Sequence, residues 1–337
     1  MEWKWIPAVT VIFIAIILAG EVMTYSSGVY SYDSEASRNG DIVDYSISSS
    51  GTNDYSAVLM DNDGFKRLER LAVYVDEDYW GNISKAESIS PVLNIDPVYY
   101  SEQIQRFLKL KSFDNVTICD SKGLIEYIGE TSVDPKGMGI ISMSYALPGE
   151  IYTGSVHDPL LKWIHDGGSL YWVGSIPGAF YYNNKELVSV ENNQMLFFGS
   201  DNCINKTWEL VPDSVGDDRT KALGLVDYQL YLGADVSKIT CQCLAMGCMN
   251  GGVASTVLVE CGEGMVVQFA GKFYLQQAED ISQVLASGIC FKSTLVGWNE
   301  GRVTRTTVSG SFDSANGDVL YLFIGKTYSV YGRAYDV

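Results

Sequence analysis

Two histidines, His157 and His165, are all the imidazole that this 337-residue chain holds. His157 stands one residue before Asp158, which is read as a helix N-cap, and His165 falls in the last turn of that helix. An imidazolium there favours the negative end of the helix dipole, so both histidines are read as structural. Basic side chains are scarce as well: 23 Lys and Arg stand against 41 Asp and Glu, a formal charge of −18. Such a surface repels a phosphate backbone, which excludes nucleic acid as a partner. Charge of either sign makes up only 19% of the chain and hydrophobic residues 47%, which excludes an intrinsically disordered chain. No internal repeat or low-complexity tract is found, and no cofactor is expected. The length allows one large domain or two modest ones.

One long uncharged run is present, WIPAVTVIFIAIILAG, between Lys4 and Glu21. Its roughly 16 residues rise about 24 Å as a helix, and Trp3, Trp5 and a snorkelling Lys4 lengthen its reach into the interface. Residues 1–24 are therefore expected to form an uncleaved transmembrane anchor. A cleaved signal peptide is the rival reading, but no small-x-small site stands out after Leu18. The basic flank lies on the N-terminal side and Glu21, Asp33 and Glu35 follow on the other. That asymmetry predicts a single-pass plasma-membrane protein with its bulk extracytoplasmic. The N-x-S/T triplets at Asn82, Asn115 and Asn205 are glycosylation candidates consistent with that location. Seven cysteines in an exported chain read as a disulfide framework with one thiol left over. Cys119 ends an apolar run and is taken as the odd one; Cys203, Cys241, Cys243, Cys248, Cys261 and Cys290 are the disulfide candidates. Cys241-x-Cys243-x4-Cys248 with Cys261 also has enough thiolates for a tetrahedral zinc site, although C-x2-C is the usual metal spacing.

Strand-like alternation from Asp41 to Ser48 and from Tyr55 to Met60 predicts a hairpin near the N-terminus. Val303 to Phe312 alternates too, and Val319 to Ile324 followed by Gly325-Lys326 predicts another at the C-terminus. Neither end can bury both its faces alone, so the two are expected to pack together beside the membrane. The middle of the chain changes period. Leu71 to Val75, Val116 to Cys119, Gly139 to Ser144 and Ser169 to Val173 read as buried strands. Helical segments open between them at Asp96-Pro97, Ser121 and Asp158-Pro159, the first and third with Asp at the N-cap and Pro at the first position. The expected fold class is α/β: a doubly wound, mostly parallel sheet, a β-rich juxtamembrane module formed by the N- and C-terminal segments, and one N-terminal transmembrane helix. The expected domains are the anchor (1–24), the first part of the β module (25–65), the α/β domain (66–292) and the second part of the β module (293–337).

Gly139-IISMSYALP, then Asp158-PLLKWIHDGG-SLYWVGSIPG, and later VLVECGEGMVVQFAGKFY, resemble the class I glutamine amidotransferase-like fold. The resemblance implies a flavodoxin-like α/β scaffold over residues 66–292, with a nucleophile elbow of the form G-x-C-x-G. Here that segment is Gly174-Ser175-Ile176-Pro177-Gly178, so Ile176 stands where the cysteine belongs, and both histidines lie upstream of it. The resemblance thus implies the scaffold without its catalytic Cys and His.

Asp76 and Asp78 follow the first parallel strand, at the edge where ligand crevices of open α/β sheets lie. A D-x-D there also resembles haloacid-dehalogenase-like phosphatases, but Trp80 replaces the usual residue and no later acidic pair appears. Asp76, Asp78, Ser142 and Ser175 are the ligand-binding candidates, and Asp76 and Asp78 weak metal candidates. Asp61-Asn62-Asp63-Gly64 lacks the distal Glu of a calcium loop and reads as a turn. The reading that follows is a non-catalytic, membrane-anchored binding or scaffolding protein of the cell envelope, with a protein or glycan partner. The alternative is a metal-dependent phosphatase or other hydrolase using the carboxylates at the end of the first parallel strand.

Overall fold

The computed structural model describes residues 32–40, 42–76, 97–174, 176–206, 218–225, 232–248, 252–269, 275–313 and 319–324. In chain order the elements are β1 (Tyr32–Asn39), β2 (Ile42–Ser49), β3 (Thr52–Asp61), β4 (Arg70–Tyr74), α1 (Pro97–Leu110), β5 (Val116–Cys119), α2 (Ser121–Thr131), β6 (Met138–Ser142) and β7 (Ala146–Pro148). There follow α3 (Pro159–His165), β8 (Ser169–Val173), β9 (Phe180–Asn183), β10 (Glu186–Ser189), α4 (Asn193–Phe198), β11 (Ile204–Lys206), α5 (Asp218–Leu223) and β12 (Leu232–Asp235). The last are β13 (Cys243–Cys248), β14 (Val253–Cys261), β15 (Gly264–Phe269), α6 (Leu275–Ser287), β16 (Thr294–Thr304), β17 (Thr307–Asp313) and β18 (Val319–Ile324).

Strands from the two chain ends pair with each other. One three-stranded sheet runs β1-β2-β17 and the other β16-β3-β18, all antiparallel. The expected hairpin between β2 and β3 does not form. Each carries an apolar face, and these are buried against each other across the two sheets: Tyr45 and Ile47 of β2 pack with Ala57 of β3, Val303 and Ile324. The chain crosses between sheets at Ser49–Gly51, where Ser49 Oγ donates to the Gly51 carbonyl and Arg305 N also donates to it. β3 is buried on both faces from Ser56 to Met60. Its odd-numbered side chain Ala57 enters the small β core, while Val58 and Met60 enter the main one. The C-terminal hairpin expected beyond Gly325 lies outside the described residues.

The main sheet has nine strands in the order β11-β12-β14-β15-β8-β6-β4-β5, with β13 also on β14. β15-β8, β8-β6, β6-β4 and β4-β5 are parallel, and the four remaining pairings are antiparallel. One face packs on α1 and α6 through Val73, Ile141, Tyr171, Tyr100, Ile104 and Ile281. The other packs on α2 and α3 through Tyr74, Ile140, Trp172, Leu124 and Trp163. A strand covered on both faces favours apolar side chains along its length, and β8 and β15 are buried at every position, with Gln268 a polar residue within β15.

The expected doubly wound, mostly parallel α/β sheet with a transmembrane helix is therefore corrected. The sheet is mixed: β14 and β15 are joined by Gly262-Glu263 alone and pair antiparallel, a connection too short for the crossover that a parallel pair needs. Strands dominate, eighteen against six α-helices among the described residues. No helix among them is long and apolar enough to cross a membrane. The single-pass plasma-membrane anchor and the juxtamembrane placement of the β strands are withdrawn accordingly; residues 1–24, on which they rested, lie outside the described residues.

Candidate functional site

At the carboxyl end of β4, where a crevice is expected, Asp76 is held by hydrogen bonds to its neighbours. Asp76 Oδ2 accepts from Ser121 N at 3.1 Å and from Ser121 Oγ, so the carboxylate is tied to the first residue of α2. The Asp76 amide donates to Ser144 Oγ at 2.9 Å, and Ser142 Oγ donates to the Ser144 carbonyl at 2.9 Å. Tyr74 closes the same corner, its hydroxyl donating to the Ala146 carbonyl at 3.2 Å. Asp76 and Ser142 are thus brought together as struts of a loop junction. Asp78 and Ser175 lie outside the described residues. No group of three or more His, Cys, Asp or Glu able to hold a metal exists among the described residues, so the metal-dependent phosphatase reading has no site there.

Ile176, in the elbow position, packs against the apolar core of the α2–α3 face. Its turn is held from behind: Asn193 Nδ2 donates to the Pro177 carbonyl at 2.7 Å and Tyr152 Oη to the Gly178 carbonyl at 2.9 Å. Among the glycosylation candidates, Asn115 is exposed, Asn205 lies in β11 and Asn82 is outside the described residues. All seven cysteines are free thiols, with Cys203, Cys261 and Cys290 buried.

A different place gathers polar chemistry. The cleft has a volume of about 500 Å³ and lies where the β16-β3-β18 sheet meets α5 and α6. Antiparallel register sets its wall: Ser56 faces Glu300 and Phe323, and Asp54 faces Arg302. Residues paired across such a ladder point to the same face, so two carboxylates, a guanidinium, a hydroxyl and a ring line one surface. Arg302 Nε donates to Asp54 Oδ1 at 2.8 Å, an exposed pair that fixes the carboxylate's orientation and adds little to stability. The hydrogen bond from Asp54, aided by its charge, holds the Arg302 guanidinium above its ordinary value. Glu300 has no ion-pair partner among the described residues. Lys221 of α5 and Tyr55 complete the rim.

Gln283 of α6 lies at the floor. It is 2% exposed, and neither its amide oxygen nor its amide nitrogen has a hydrogen-bond partner. Ser56 Oγ, on the facing strand, is buried without a partner as well. A buried amide left unpaired costs about 1–3 kcal/mol, and two such residues, Gln283 and Ser56, are found at this one cleft. Sequence reasoning missed this site. The period-two spacing of Asp54 and Ser56 was visible, but Glu300 and Arg302 join them only through a pairing almost 250 residues long in sequence.

No protein-family model matches the chain, and no curated protein matches it. Among solved structures it is similar to three glycosidases. The β-galactosidase from Bacillus circulans sp. alkalophilus aligns with a TM-score of 0.40 at 11% identity, over 67% of this chain and 32% of that one. The β-galactosidase from Rahnella sp. R3 gives 0.39 at 16%, over 66% and 31%. The exo-β-1,4-mannosidase Op5Man5 from Opitutaceae bacterium strain TAV5 gives 0.35 at 14%, over 65% and 34%. The chain spans about a third of the length of these proteins. These matches are glycoside hydrolases, not glutamine amidotransferases, and the amidotransferase-like identity is withdrawn. The reading as a non-catalytic binding or scaffolding protein is withdrawn with it.

Proposed function

We propose that the chain is a hydrolase acting on a neutral, hydroxyl-rich substrate of saccharide type, held in the cleft between β3, β16 and α6. The observation that carries this reading is the pair of buried, unpartnered groups at the cleft, the Gln283 amide and the Ser56 hydroxyl. Both donate and accept, as each sugar hydroxyl does. The rim has the same mixed character: Asp54 and Glu300 accept, while Arg302 and Lys221 donate. A phosphate group would need donors alone and would be repelled by the two carboxylates, so a neutral polyol is the better fit. Phe323, paired with Ser56 on the same face of the sheet, supplies ring surface for the apolar face of a pyranose. A volume of about 500 Å³ falls within the range of small-molecule sites.

Glycosidic bond cleavage needs two carboxyl groups, one to protonate the leaving oxygen and one to act as nucleophile or base. Asp54, oriented by Arg302, takes the second role, and Glu300, free of an ion-pair partner, takes the first. The test is calorimetric titration of simple saccharides together with turnover of aryl glycosides. Saturable binding is expected at millimolar concentration or below. Gln283→Leu should weaken it about tenfold through two lost hydrogen bonds. Glu300→Gln should remove turnover while leaving binding within a few-fold. Absence of any saturable saccharide binding by the native chain overturns the reading.

A further inference from the structure

Five thiols lie on the α2–α3 face of the main sheet: Cys203 and Cys261 are part of its apolar core, and Cys119, Cys241 and Cys243 pack against it. The ladder between β13 and β14 sets their relations. Cys243 lies opposite Val259 and Leu244 opposite Leu258, so the register continued by two residues sets Cys241 opposite Cys261. Glu260 N donates to the Gln242 carbonyl at 2.8 Å, which makes 242 and 260 the hydrogen-bonded pair and leaves 241 and 261 as a non-hydrogen-bonded one. In such pairs the Cα atoms stand about 4.5 Å apart with their side chains adjacent, within the roughly 4.4–6.8 Å that a disulfide spans. The other thiols of β13 do not fit. Cys243 has Val259 opposite it and Cys248 has Ala254. Cys241 and Cys243 are two residues apart on one strand, roughly 6.6 Å, with parallel Cα–Cβ directions that keep the sulfurs separated.

We infer that Cys241 and Cys261 form a reversible cross-strand disulfide, a modification site that ties the start of β13 to the end of β14. Burial pushes the Cys261 thiol up to about 12, and the neighbouring Cys241 thiol and Glu260 add to the effect. Cys241, partly exposed, is raised by burial and then by Glu260. The accessible sulfur therefore reacts first. With oxidised glutathione as the oxidant, Cys241 gives up its proton and its thiolate attacks one glutathione sulfur, forming a mixed disulfide and releasing one glutathione thiolate. Cys261 then loses its proton and attacks the Cys241 sulfur, expelling the second glutathione. Two protein thiols are oxidised to one disulfide and one glutathione disulfide is reduced to two thiols.

The site is tested on the full chain by incubation with oxidised glutathione, acid quenching, alkylation and digestion with a protease that cuts after glutamate. Cleavage at Glu260 and Glu263 isolates Cys261 on the tripeptide Cys261-Gly262-Glu263, joined to the Cys241 peptide only through the bridge. The titratable thiol count should fall by two, with that cross-linked pair recovered and fragmentation placing the partner at Cys241. Cys243→Ser should leave the cross-link intact, and Cys241→Ser, at the partly exposed position, should remove it without disturbing the buried core. Recovery of the tripeptide singly alkylated after full oxidation of other thiols, or cross-linked to Cys243 or Cys248, overturns the assignment.

Discussion

Asp158 illustrates how one side chain can hold the expected position and do different work. The Asp-Pro pair predicts a capping carboxylate, and Asp158 is indeed the residue before Pro159, but its side chain makes no cap to the helix. It turns back into the preceding loop, where Oδ2 accepts from Thr153 N at 2.6 Å and Ser155 N at 2.9 Å, and Oδ1 from Thr153 Oγ1 at 2.9 Å. A capping carboxylate would serve the second or third helical amide, and the Leu160 amide donates to the Ile151 carbonyl at 3.1 Å instead, so the carboxylate is released to the loop's donors. The residue is 7% exposed, and truncation removes the shared acceptor of three donors on the exposed loop residues Thr153 and Ser155. Asp158→Ala is expected to lower stability by about 3 kcal/mol, measured by urea unfolding, and Asp158→Asn by less because one acceptor oxygen survives. An Ala variant as stable as the native chain would mean that water replaces the carboxylate without loss. The same scale explains the missed cleft. Gln283 lies in the helical stretch whose apolar face, Ile281, Val284 and Leu285, is legible from spacing, but nothing in a sequence marks a glutamine as buried and unpaired.

At the scale of elements, periodicity was legible and partnership was not. The apolar runs at Leu71, Val116, Gly139 and Ser169 correspond to β4, β5, β6 and β8, and the stripe Tyr100, Ile104, Phe107 and Leu108 is the buried side of α1. A strand's own pattern states how many of its faces are buried; it does not state which strand lies beside it. Hence β2 and β3 read as a hairpin and prove to be members of different sheets, and of the antiparallel half of the main sheet only the β14–β15 pair was legible, while β11, β12 and β13 were not. Element junctions carry their own demands. β15 begins where α3 has just ended, and Gly264 lies so close to that turn that a Cβ built on it would stand 2.1 Å from the Gly168 carbonyl oxygen and 2.3 Å from that of Ile164. Both neighbours are backbone and cannot swing aside. The Met265 amide also donates to the Gly168 carbonyl at 3.2 Å, so displacement breaks the bond that starts the parallel β15–β8 ladder. Gly264→Ala should therefore cost about 3 kcal/mol or more, seen as a lower urea midpoint at unchanged slope, despite adding a single methyl group. An unchanged midpoint would mean that the α3 turn yields freely.

For the whole molecule the decisive contact is polar. Asn62 ends β3 inside a sequence that reads as a plain turn, and Asp63 and Gly64 do adopt left-handed backbone there. Yet Asn62 is 6% exposed and reaches three separate parts of the chain. Its Nδ2 donates to Tyr321 Oη at 2.8 Å and to the Gly288 carbonyl at 3.2 Å, while Oδ1 accepts from Ser293 Oγ at 2.6 Å. One amide thus joins the terminal β sheets to the end of α6, the helix that also carries Gln283. Because the proposed cleft is walled by those sheets on one side and by α6 on the other, its shape depends on this joint. Asn62→Leu, similar in size but unable to donate or accept, leaves the Ser293 and Tyr321 hydroxyls and the Gly288 carbonyl to find other partners. The expected outcome is a loss of about 2–4 kcal/mol. Amide exchange should also quicken in β16, β18 and the last turn of α6 before it quickens in the parallel strands β4, β6 and β8, since opening at a joint precedes global unfolding. Saccharide binding should weaken in the same variant although Asn62 does not line the cleft. Exchange rising uniformly across both units would show instead that they unfold as one and that the amide is only one contact among many.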